Sequence, residues 1–319
     1  MNLNNSLYSR RLFLTLLFLS GCTASQKLRR DQFVVGTVSY DAGTQTIADT
    51  YDRFDRYLAE QLKAIVQLEP AFSEAKALER LKAQAWSLVF APPGLAAIAI
   101  SEYQYISLFP LIGVNNLKSV IVVPNSSSIQ DKTGLVGKRL AISQPGSATG
   151  YYFPIFNLYG LTLAELVVSP TPKSILEAVA QGKADAGALS LEEFNTIKRQ
   201  IPQTEFRVVF QDNRAVPSGS ILLSPKVDRT FQESVRKILS ETPSAIAQET
   251  GFIPTEPPPD YDYMISVVKR VRSIFPADDP QTGAALLSKK PARLFQDGDA
   301  PPTPTSDKPT PVPSKSASP

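Results

Sequence analysis

Histidine is absent from the 319 residues and cysteine occurs once. Without an imidazole there is no Ser-His-Asp or Cys-His catalysis, no histidine acid/base and no imidazole metal ligand. The single Cys22 cannot close a disulfide within the chain or assemble a cysteine zinc site, so stability has to come from packing. Charge of one sign is missing too: 33 Lys and Arg stand against 30 Asp and Glu, a formal +3 with no basic block. That removes the electrostatic footprint of a nucleic-acid binder. No Walker loop, no Gly-x-Gly-x-x-Gly behind a strand and no paired-carboxylate signature occurs. These exclusions argue against an enzyme and imply neither cofactor nor metal. What is present is a 43% apolar composition, enough to bury the core of one large or two modest domains.

The position of Cys22 carries information of its own. Arg10-Arg11 precede the apolar run Leu12 to Leu19, and Leu19-Ser20-Gly21-Cys22 follows. A basic region, a short apolar region and a small-residue cleavage zone make a secretory signal too short to span a bilayer. The Leu-Ser-Gly-Cys string resembles the lipobox of bacterial lipoproteins. The resemblance implies cleavage before Cys22, a diacylglyceryl group on its sulfur and an acylated N-terminus, palmitate being a typical chain. Two or more such chains suffice for stable anchoring. Residues 1–21 are thus expected to be a signal peptide and 22–31 a polar tether, on the periplasmic side of a bacterial membrane.

Beyond the tether, strand and helix patterns alternate. Phe33 to Val38 reads as a strand, Thr46 to Leu62 as a helix with Ile47, Tyr51, Phe54, Leu58 and Leu62 on one face, and Ile65 to Leu68 as a strand. A helix over Ser73 to Gln84 and an apolar strand over Trp86 to Phe90 follow, ended by Pro92-Pro93-Gly94. A second unit of the same grammar has strands at Val120 to Val123, Arg139 to Ile142, Leu166 to Val168, Ala186 to Leu189 and Phe206 to Phe210. Its helices lie at about Thr149 to Tyr159 and at Ser174 to Gln181. The chain then returns through Ser220 to Leu223 and an amphipathic helix over Phe231 to Leu239. Buried strands without polar alternation argue for mainly parallel sheets flanked by helices. The expectation is an α/β chain of two lobes with a cleft between them: 32–118 with 219–275 as lobe 1, and 119–218 as lobe 2. The Pro- and Ser-rich segment 276–319 is expected to be disordered.

The chemistry is expected at Gln144-Pro145-Gly146-Ser147-Ala148-Thr149-Gly150-Tyr151, where a strand feeds a loop that opens a helix. Unpartnered N–H groups and the positive end of the macrodipole suit an oxyanion, with the hydroxyls of Ser147 and Thr149 as further donors. Equally, Ser147 or Thr149 can simply cap the helix. Leu135-Val136-Gly137-Lys138-Arg139, followed by Gly146 to Tyr151 and Pro154, resembles a stretch of the phosphate-, phosphite- and phosphonate-binding proteins of ABC importers. Gly182-Lys183-Ala184-Asp185-Ala186-Gly187-Ala188 resembles that family's second-lobe segment, and the likeness in layout runs from about Phe33 to Phe275. The resemblance implies the type II periplasmic binding protein fold, a small oxyanion ligand and an ABC permease as partner. It carries over Ser147, Thr149 and Gly150 as the gripping turn, with Ala148 in place of a hydroxyl residue, and Tyr151 beside them. The family's histidine before the second-lobe helix is replaced by Thr171-Pro172-Lys173, and no tyrosine stands near Pro93-Gly94-Leu95.

Lesser candidates are Tyr40 at the end of the first strand, and Arg207 and Arg214 near the second crossing. Trp86 reads as core, and Asp185 as a turn former. The function expected is that of a monomeric, lipid-anchored solute-binding protein closing its lobes on phosphate, phosphite or a phosphonate. A sensing or accessory lipoprotein on the same scaffold is the alternative.

Overall fold

A computed structural model describes residues 32–39, 44–113, 117–158, 160–274 and 292–293. Cys22, the tether 22–31 and Tyr40 lie outside the described residues, as does all of 276–319 except Ala292 and Arg293.

The chain runs β1 (Gln32–Val38), α1 (Thr44–Leu62), β2 (Ile65–Ala71), α2 (Glu74–Lys82), β3 (Leu88–Ala91), α3 (Pro93–Tyr103) and β4 (Ile106–Pro110) before it first crosses over. It continues through β5 (Ser119–Pro124), β6 (Arg139–Ile142), a π-helical turn (Ala148–Tyr152) leading into α4 (Phe153–Asn157), β7 (Thr162–Leu163) and β8 (Glu165–Val168). Next come α5 (Pro172–Ala180), β9 (Ala186–Ser190), α6 (Leu191–Ile197) and β10 (Phe206–Gln211). After a second crossing it ends with β11 (Ser220–Leu223), α7 (Arg229–Ser240), α8 (Ser244–Thr250), α9 (Asp262–Ile274) and β12 (Ala292–Arg293). β12, inside the stretch expected to be disordered, pairs with β7.

Two five-stranded sheets result, ordered β2-β1-β3-β11-β4 and β10-β5-β9-β6-β8. In each, one strand runs against the rest: β11 is antiparallel to β3 and β4, and β5 to β10 and β9. The reason is the crossings. β4 and β10 end at the inner edges of their sheets, so β5 and β11, which follow directly, must start there and run outward. The two crossing segments also pair at Leu117 and Val216. The mainly parallel, two-lobed α/β architecture is therefore present. β3 and β9 are buried along their whole lengths, as expected of strands covered on both faces.

On α1 Ile47, Tyr51, Phe54 and Leu58 of the predicted stripe are buried and Leu62 is partly buried. The stripe packs edge-on against Phe90 and Phe252, with ring centroids 5.0 Å apart for Tyr51–Phe90 and 6.1 Å for Phe54–Phe252. The expected helix over Thr149 to Tyr159 is different in kind. Pro154 has no N–H to give to Gly150, and the Gly150 carbonyl accepts the Ser143 N–H at 2.9 Å instead. Tyr152 N–H reaches back five residues to Ser147 O at 3.1 Å, which makes the first turn a π turn.

A third element went unread. Pro92-Pro93-Gly94 marks the end of β3, but it also starts α3, whose residues Gly94 to Ala99 are all buried. Over Gly94 to Ala99 this helix is apolar on every side because it packs between the lobes. One buried cluster extends from Trp86, Val89 and Leu95 in the first lobe, through Tyr152 and Phe153 and through Val267 and Val271 of α9, to Leu140 and Ile142 in the second. The lobes share this cluster, and each has a further one of its own.

Candidate functional site

The turn before α4 keeps the cap its sequence allows but is a π turn. Gly146 adopts φ +121°, a backbone that L side chains rarely take, and Ser147 caps the helix, its Oγ accepting the Gly150 N–H at 3.1 Å. Ser119 Oγ, on β5, donates to the Thr149 carbonyl at 2.7 Å. The Ser147 hydroxyl oxygen therefore accepts within the turn, a bond that does not use its O–H. The N–H groups of Ala148 and Thr149 are the first-turn donors that the helix cannot satisfy by itself. Ala148, Thr149, Gly150 and Tyr151 are brought together and all are buried.

Lobe 1 covers this turn. A Cβ at Gly94 would stand 2.1 Å from the Gly146 carbonyl oxygen and 2.8 Å from Ala148 N. A Cβ at Gly146 would stand 2.6 Å from Glu74 Cβ and 2.9 Å from Leu95 Cδ2. Gly146 thus makes room for α2 and α3. Three helix starts thus meet at one point: that of α2, where Ser73 Oγ accepts the Lys76 N–H at 3.2 Å, that of α3 at Pro93-Gly94, and the π turn. Their positive ends converge. Glu74, the first residue of α2, is buried against this junction.

Tyr151 and Tyr152 pack edge to face at 5.0 Å. Burial pushes the Tyr151 phenol up to about 12 and that of Tyr152 higher, so both stay protonated at neutral pH and act as neutral groups. Among the described residues the Tyr152 hydroxyl has no hydrogen-bond partner. Thr171, where the family has its histidine, forms a capping box with Ser174 at the start of α5.

The remaining candidates are placed elsewhere. Arg207 donates to the carbonyls of Ser127 and Ile129, at 2.9 and 2.5 Å, and so closes a loop of its own lobe. Arg214 lies over the Tyr263 ring, 4.0 Å from its centroid. Asp185 is more than a turn former: its carboxylate accepts the Arg139 N–H at 2.8 Å and pairs with the guanidinium at 3.0 Å. These bonds to Arg139 hold its carboxyl below the usual carboxylate range, and they tie β9 to the outer end of β6. Trp86 is fully buried, as a core residue. Sequence reasoning missed Glu74, Gly94 and Leu95. The available signal was Pro93 in the first turn with a run of small apolar residues behind it.

Residues 37–263 match the family model for the phosphonate ABC transporter periplasmic substrate-binding protein. None of the curated protein sequences matches the chain. Among solved structures, a Xanthomonas citri protein bound to chloride aligns with TM-score 0.64 at 18% identity, over 76% of this chain and 99% of that one. PhnD1 from Prochlorococcus marinus, in complex with methylphosphonate, aligns with TM-score 0.58 at 16% identity, over 76% and 99%. A binding-protein component of an ABC phosphonate transporter from Pseudomonas aeruginosa gives 0.57 at 12%, over 81% and 89%. At these identities the likeness establishes the fold, that of type II periplasmic binding proteins. The family model spans well over half of the sequence, and the chain belongs to the periplasmic substrate-binding proteins of phosphonate ABC transporters.

Proposed function

We propose that this chain captures a small oxyanion, phosphate, phosphite or a phosphonate, between its lobes and presents it to an ABC permease while held at the membrane by lipid on Cys22. The meeting of three helix starts beside Gly146, two from one lobe and one from the other, supports this reading. Such a site attracts negative charge without using a lysine or arginine. Tyr40 and Tyr151 are proposed to complete the walls.

Calorimetric titration of the purified protein with methylphosphonate, phosphite, phosphate and sulfate tests the reading. Binding of at least one phosphorus oxyanion is expected, weakened about tenfold by Thr149→Val if its hydroxyl donates to the ligand. Absence of heat with all the phosphorus oxyanions would overturn the oxyanion reading, and unchanged affinity in the variant would remove Thr149 from the site. For the anchor, Cys22→Ser should shift the protein from the membrane to the soluble fraction of cell extracts; continued membrane association would exclude lipid on Cys22 as the tether.

The alternative is a sensing or accessory lipoprotein on the same scaffold, not coupled to transport. Neighbouring permease and ATPase genes support transport, whereas a neighbouring kinase or cyclase gene supports sensing.

A further inference from the structure

A cavity of about 730 Å³ lies between α9, the C-terminal end of α4 and the second crossing. It lies away from the turn at Ser147: Asn157 on its wall is ten residues further along the helix, roughly 15 Å at 1.5 Å per residue. Four cations line it, Lys132, Arg214, Lys269 and Arg270, against one carboxylate, Asp212. Asp212 is 6% exposed and already engaged, accepting from Asn157 Nδ2 at 2.6 Å and from the Arg214 N–H at 2.8 Å. It therefore holds the backbone at Arg214 in place and does not neutralise the cavity. Among the described residues no ion pair involves Lys132, Lys269 or Arg214.

The same cavity is aromatic. Phe156, Phe210 and Tyr263 line it, with the Arg214 guanidinium stacked on Tyr263 and Lys132 Nζ 5.6 Å from the centre of the Phe210 ring. Cations held over rings, in a cavity of the size that takes small organic ligands, combine charge attraction with a flat apolar surface. An inorganic oxyanion would use only the first of these.

We propose that this cavity is a second ligand site, for a multiply charged organic phosphate bearing a planar ring, of which a nucleoside polyphosphate is the simplest probe. α9 packs on α3 of the first lobe and on α4 of the second, and Gln211 to Arg214 form the start of the second crossing. A ligand here contacts the segments that join the lobes, so its binding is linked to their arrangement.

The test is calorimetry on the purified protein with ATP, tripolyphosphate and adenosine, repeated on the Lys132→Gln/Lys269→Gln variant. Saturable ATP binding is expected, tighter than tripolyphosphate or adenosine, weakened by raised salt and at least about tenfold weaker in the variant. Methylphosphonate titration of the same variant should match the unsubstituted protein, which separates this site from the cleft whether or not the cleft binds phosphonate. No ATP binding, tripolyphosphate binding as tightly as ATP, or ATP affinity unchanged in the variant would each overturn the proposal.

Discussion

Gly94 decides how closely the two lobes approach. Its Cα lies against the carbonyl of Gly146 and the N–H of Ala148, both backbone groups with no rotamer to yield. Gly94→Ala should therefore cost ~1–3 kcal/mol as overpacking does, read as a lower urea midpoint at unchanged slope. Gly113→Ala is the control: among the described residues nothing lies within 4 Å of the added carbon, and the change should stay within about 0.5 kcal/mol. Equal effects would show that the Gly94 contact is not maintained in solution. The sequence makes the neighbouring residues easier to understand than this one. A glycine followed by Ser-x-Thr at a strand-to-helix turn announces a cap, and Ser147 is one. Nothing near Gly94 announces the carbonyl it faces, because that carbonyl belongs to a residue 52 positions away.

Among the elements, those with a period were legible. The stripe of α1 and the apolar runs of β1, β3, β5 and β6 lie where the spacing puts them, since one face or both must be buried. α3 has no stripe because every side is covered, and such a helix has no period to read. The π turn escaped for another reason. Its i+5 bonds follow from Pro154 withholding a donor and Ser143 supplying one to Gly150, and only the second lobe's tertiary arrangement brings Ser143 there. π turns recur where backbone groups are put to use, and this one lies at the junction proposed to hold the oxyanion.

At the scale of the whole molecule, the buried cluster joining the lobes sets how they unfold. Removing either lobe would expose α3 and the inner faces of Tyr152, Phe153 and α9. The described body should consequently melt in one calorimetric transition, with van't Hoff and calorimetric enthalpies in agreement. Two resolved endotherms would mean that the shared core does not couple the lobes. From the sequence alone came the secretory address proposed at Cys22, the exclusion of histidine and thiol chemistry, the alternation of strand and helix, and the turn at 146–151. All of these depend on residue type and near-neighbour spacing, which a linear chain displays in full. Only the tertiary structure decided that Gly146 faces Glu74 and Leu95, that three helix starts converge, and that four cations and three rings line one cavity behind the crossing. Those arrangements join residues far apart in the chain, and their geometry exists only once both sheets have formed and packed.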